Sequence, residues 1–228
     1  MSYIGKVPTA VPLSTNDLAD SIVTSAKITD GTIALADLSA TGTKDSTTFL
    51  RGDNTFAEAG GGSLVKLSST TLTSTSTFIT FDSTIITSTY DAYYFTILAS
   101  PETDNDYLQI RLSDGGAFNS GASDYGWAYI NDNGTGTSDN GDPQIIMFDL
   151  TDSAFANAYQ GELTLLNPQN SSVKTVINHK GHRNDGSPNL ITGGAQRLTA
   201  EANDGIQFFF SSGDISVGST ITCYGIEK

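Results

Sequence analysis

The chain has 228 residues, a formal net charge of −14 and a pI near 4.2, with 37% hydrophobic and 16% charged residues. A surface of that sign repels phosphate backbones and anionic lipid, which argues against nucleic-acid and membrane-surface partners. The single cysteine, Cys223, allows no disulfide within the chain, and no run of about eighteen apolar residues marks a membrane-inserted span.

The polarity comes mainly from Ser, Thr, Gly, Asn and Asp, the vocabulary of strands and turns. Residues 1–12 contain Pro8 and Pro12 and read as an extended arm. From there an aliphatic residue stands at every fifth position: Leu13, Leu18, Val23, Ile28, Ile33 and Leu38. The unit is ten residues long, as the alignment of 19–28 with 29–38 shows. A helix needs a period near 3.6 and a one-sided strand a period of 2, so a spacing of five fits neither. A repeat too short to bury its apolar residues must stack on itself or on other copies. Gly31 and the scattered Thr and Ser argue against one continuous helix, and extended segments with short helical turns are expected.

Within 41–59, Gly52-Asp53-Asn54 reads as a turn between two short apolar pieces, and Gly60-Gly61-Gly62-Ser63 reads as a linker. Beyond it the pattern is strands and turns. Leu108, Ile110 and Leu112 alternate before Asp114-Gly115-Gly116, Leu163 and Leu165 before Asn167-Pro168, and Ile206, Phe208 and Phe210 before Ser212-Gly213-Asp214. Further strands are expected at 64–67, 77–81, 92–98, 125–130, 144–150, 173–179, 189–199 and 219–226. The expected fold is all-β: a repeat-containing N-terminal stem (1–59), a linker (60–63) and an antiparallel β-sandwich head (64–228).

Tyr125, Trp127 and Tyr129 alternate, so a strand places the three rings on one face. Exposed, they form a stacking platform for sugars, with Asp124 and Asn131 as hydroxyl partners; buried, they form an aromatic layer or a subunit interface. These three are the candidate ligand-binding residues. His179 and His182, with Arg183 and Asp185 nearby, read as a polar hairpin loop without a metal. The stretch from Asn131 to Asp142 is faintly like a calcium loop, with Gly136, Asp139 and Asp142 at its sixth, ninth and twelfth places. Asn131, Asn133 and Thr135 leave its first ligand places without carboxylates. Arg51-Gly52-Asp53 serves the turn it lies in. With no serine elbow, and Cys223 in an apolar terminal segment where a small buried hydrophobe is expected, neither catalysis nor a cofactor is expected. Acidic residues are plentiful, and a glycosidase-like pair such as Asp104 with Glu162 stays open without being singled out.

The opening Met1-Ser2-Tyr3-Ile4-Gly5, the repeats around Asp30-Gly31-Thr32-Ile33 and Ala36-Asp37-Leu38, and the segment from Thr48 to Phe56 resemble N-terminal regions of tail-fibre-like proteins of tailed bacteriophages, especially marine ones. Tyr90 to Phe95, Leu108 to Gly116 and Gly218 to Ile226 are similar to their C-terminal β domains. The resemblance covers most of the chain, although the stem is much shorter than in long fibres. It implies a homotrimeric virion fibre or spike with a jelly-roll-like head, assembled in the host cytoplasm and attached through its stem to another virion protein. On that reading Leu13, Leu18, Val23, Ile28, Ile33 and Leu38 are the trimerisation contacts; the resemblance names no ligand, and a host-surface polysaccharide is the candidate one for the head. A capsid-bound decoration protein without a receptor role and a monomeric carbohydrate-binding module are the alternatives.

Overall fold

Alternation of apolar and polar residues at a period of two runs through most of the chain, and the computed structural model is all-β with antiparallel sheets. It describes residues 21, 23–34, 37, 39–46, 48–58, 64–103, 106–132, 134–151, 153–184 and 188–226. The chain divides into two units, Met1–Gly60 and Gly61–Lys228. The glycine-rich linker, Leu13, Leu18 and Leu38 lie outside the described residues.

In the first unit, local hydrogen bonds do most of the organising. Lys27 N donates to Thr24 O at 2.9 Å, Thr32 N to Thr29 O at 3.1 Å, and Asp37 N to Ala34 O at 2.9 Å. These three tight turns begin five residues apart, at 24, 29 and 34, and Ile28 and Ile33 each follow one directly. Ser25–Lys27 is a single 3-10 turn. Thr32 Oγ1 reinforces the second turn through Thr29 O at 2.6 Å, and Asp37 Oδ2 accepts from Ala34 N at 2.8 Å in the third. Polar residues that bond their own backbone favour such turns over a continuous helix. The aliphatic residues stay largely open: Val23, Ile28 and Ile33 are 57%, 40% and 56% exposed. Strands β1 (Thr48–Leu50) and β2 (Phe56–Glu58) then form a hairpin. Its turn is closed by Arg51 N to Thr55 O at 2.8 Å and by Asp53 Oδ1, which accepts from Thr55 Oγ1 at 2.6 Å. Phe56 is buried and its ring lies under Lys44, while Phe49 and Leu50 are exposed.

The second unit is a two-sheet sandwich. Its strands are β3 (Leu64–Thr71), β4 (Ile79–Phe81), β5 (Ala92–Ala99), β6 (Asp106–Asp114), β7 (Ala117–Phe118), β8 (Tyr125–Asn131), β9 (Gly136–Asp142) and β10 (Ile145–Thr151). There follow β11 (Tyr159–Leu166), β12 (Val176–Asn184), β13 (Pro188–Arg197), β14 (Gly205–Phe210) and β15 (Thr220–Ile226). A wide sheet has the order β3-β15-β5-β11-β12-β13-β8-β9, and a narrow one the order β10-β6-β14-β4 with β7 beside β6. From β3 to β6 the chain changes sheet at every step, and it does so again between β14 and β15.

The inner faces meet in one apolar core. Phe81 and Phe208 of the narrow sheet pack against Phe95 of the wide one, with centroids 5.4 and 5.6 Å from it. Such tilted ring pairs each add about 0.5–1.5 kcal/mol beyond burial. Cys223 is buried, as its apolar segment predicts, and burial pushes its thiol up to about 12. Two departures from the sequence reading stand out. Residues 136–142, the second half of the calcium-like stretch, form strand β9 paired with β8. The histidine segment read as a loop is the middle of β12, paired on both sides. Its Gly181 does not make a turn; with Gly161 it makes room for a ring. A Cβ at either glycine would overlap the Tyr159 side chain, which is fully buried and packs on Phe148 at 5.1 Å.

Gly181→Ala is therefore expected to cost about 1–3 kcal/mol in urea unfolding through overpacking. That cost should shrink when Tyr159→Leu is also present. An equal cost in both backgrounds would show that the ring is not what the glycine accommodates.

Candidate functional site

Tyr125, Trp127 and Tyr129 do share one face of β8, but it is the inner one. They are 0%, 7% and 4% exposed, so the exposed stacking platform is corrected to an aromatic layer of the core. The cause is the pairing of β8 with β13, which sets Trp127 beside Ala195 and Tyr129 beside Gly193 under the second sheet. Trp127 and Tyr129 stack at 5.7 Å, and Trp127 Nε1 donates to Asp142 Oδ2 at 3.3 Å. Tyr125 ties the two sheets together: Leu112 N donates to its oxygen at 2.8 Å, and its hydroxyl lies 3.1 Å from Asn119 O. Burial pushes this phenol up to about 12. The proposed sugar partner Asp124 is instead ion-paired to buried Arg197 at 2.7 Å.

His179 and His182 fall on opposite faces of β12, because an odd separation in a strand reverses the side chain. They cannot share an ion. His179 points inward between Leu163 and Gly193, its cross-strand neighbours, and a Cβ on Gly193 would overlap its ring. It is 4% exposed, and neither ring nitrogen has a hydrogen-bond partner. Burial lowers its pKa to about 4. Asp104 lies outside the described residues. Arg51 and Asp53 pair at 3.6 Å across the exposed hairpin turn.

The outer face of the wide sheet gathers the groups that remain. One cross-strand row runs Thr222, Thr96, Glu162, Lys180, Thr192. The next runs Tyr224, Tyr94, Thr164, Asn178, Gly194, Ala128. Glu162 accepts from Tyr94 OH at 2.6 Å and pairs with Lys180 Nζ at 2.9 Å. The Tyr94 hydrogen bond, then Lys180, holds the Glu162 carboxyl below the ordinary range, and the same bond pushes the Tyr94 phenol up to about 12. Tyr94 and Tyr224 lie 6.2 Å apart, half-buried. Three shallow hollows adjoin along these rows. One of about 390 Å³ lies between Gln160 and Leu190, and one of about 320 Å³ around Thr164, Asn178 and Thr192. A third, of about 350 Å³, lies around Ala128, Gly194 and Gln196. Glu162 and Lys180 border the first two hollows, and the neighbouring Gly193 and Gly194 join the second to the third.

This face escaped the sequence reading, although one signal for it was present. Tyr93, Phe95 and Ile97 are all apolar-faced, which by alternation turns Tyr94 and Thr96 outward. Comparisons with protein-family models, with curated proteins and with solved structures find no match to this chain.

Because His179 is neutral when folded and titrates near its ordinary value when unfolded, the unfolded chain binds more protons between about pH 6.5 and 4. Its contribution to stability is intact above that window and falls by about 3 kcal/mol as pH drops through it. His179→Leu should therefore gain on the native chain as pH falls from 6.5 to 4, in denaturant midpoints taken at each pH. A constant difference across that window would show that His179 does not titrate in the core.

Proposed function

We propose that the chain is a structural subunit of a tailed-phage particle, a short trimeric fibre or spike whose N-terminal unit attaches and self-associates and whose second unit is a displayed head. The observation that carries this reading is the run of exposed aliphatic residues in the first unit. Val23, Ile28 and Ile33 recur every five residues, two of them directly after a tight turn, and stay 57%, 40% and 56% exposed. Three copies supply the cover that one lacks. Burying each such side chain is worth about 1.5–3 kcal/mol, enough across several positions and three chains to offset much of the ordering entropy of a thin stem.

The head supports the same reading through its strand order. Within the two sheets, β3-β15-β5-β11 and β4-β14-β6-β10 are two four-stranded blocks, and the chain crosses between them at every step but β6 to β10, the order of a jelly roll, with β8-β9 and β12-β13 as inserted hairpins. The resemblance of both ends to phage fibre proteins names the setting, and the charge of −14 keeps crowded copies soluble.

Antibody raised against residues 64–228 should label intact particles at the tail in negative-stain images. Labelling over the capsid shell would make the chain a decoration protein. Labelling of free protein alone, with bare particles, would overturn the virion role.

A further inference from the structure

Along the two central rows on the outer face of the wide sheet, Glu162 and Lys180 compensate each other at 2.9 Å, and Lys66 stands beside Tyr224 at one end. What remains is neutral and two-handed: Thr164 and Thr192 offer hydroxyls, and Asn178 an amide, each able both to donate and to accept. Two phenol rings lie at one end, with apolar area for a C–H face. On the second row Gly194 and Ala128 keep the floor low, and hollows of about 320–390 Å³ open along this face.

We propose that this trough across β11, β12, β13 and β8, with Tyr94 and Tyr224 at its end, binds a neutral polysaccharide, a site that rests on reading the second unit as a displayed head. A polyol chain matches it in charge, since it brings no anion to a strongly acidic protein and needs no net cation from the trough. It matches in hydrogen bonding, because sugar hydroxyls also donate and accept. It matches in size, because a row of linked hollows at the lower end of ligand-site volumes suits a chain of ring-sized units better than one compact ligand. A second copy of the sandwich fits less well: a flat sheet laid on this face would leave the hollows empty and forfeit the contacts that close packing supplies.

The test is affinity electrophoresis of the full-length chain in gels containing dextran, mannan or galactan, with alginate as the anionic comparison. At least one neutral polymer should retard the native chain. Thr192→Arg, which fills the trough, and Tyr224→Ala, which removes a ring, should each weaken that retardation by about tenfold, roughly 1.4 kcal/mol, with unchanged melting midpoints. Retardation by none of the three neutral polymers, by alginate alone, or equally for both variants would overturn the assignment. So would disulfide capture between copies of Thr192→Cys without any retardation, which gives the face to a second copy. Retardation of a chain whose antibody leaves particles bare would overturn the virion reading and leave the trough standing.

Discussion

Burial of the inner face of an eight-stranded sheet under a narrower one is the constraint on which the rest of this structure depends. With a side-chain period of two, each strand that gives Phe95, Leu163, Ile177 or Ala195 to the core must send its alternate residues outward. The core thus sets the outer rows as well: Tyr94 and Thr96 face out because Tyr93, Phe95 and Ile97 face in. The same constraint explains the glycines. Tyr159 and His179 are large inward side chains on a crowded face, and Gly161, Gly181 and Gly193 are the positions where that face yields to them. Those glycines serve the rings inside, while on the outer face it is Gly194 and Ala128 that keep the surface low.

Glycine inside a strand is also where the sequence misleads. Strands with clean alternation, such as Leu108, Ile110 and Leu112, were legible because their apolar residues are large and their turns are marked. The segment around His179 was not, since glycine is read locally as a turn residue and nothing nearby reveals a ring from another strand resting on it. Strand β9 was illegible for a different reason. Its residues, Gly136 to Asp142, carry no large apolar side chain, and it forms because β8 offers an open edge to pair with. The aromatic strip of β8 was legible as a strip but not in its direction, because three rings on one face suit a platform and a core equally until β13 is placed beside it.

The first unit follows a different logic. Its turns are held by bonds spanning three residues, so the conformation is settled locally while the apolar residues are left exposed. A chain with a charge of −14 gains nothing from presenting Val23, Ile28 and Ile33 to water, and it suppresses random association through like-charge repulsion. The proposed contact between copies reconciles the two by covering the aliphatic residues in register. The ten-residue alignment in the sequence and the five-residue spacing of turns are two views of one repeat.

The most direct measurement is the solution mass of the purified full-length chain by light scattering, taken beside that of Ile28→Asp/Ile33→Asp. A trimer gives about three times 24.0 kDa for the native chain, and the variant a mass near 24.0 kDa with an unchanged β-sheet spectrum. A native monomer, or a variant that stays trimeric, would contradict the proposed contact between copies.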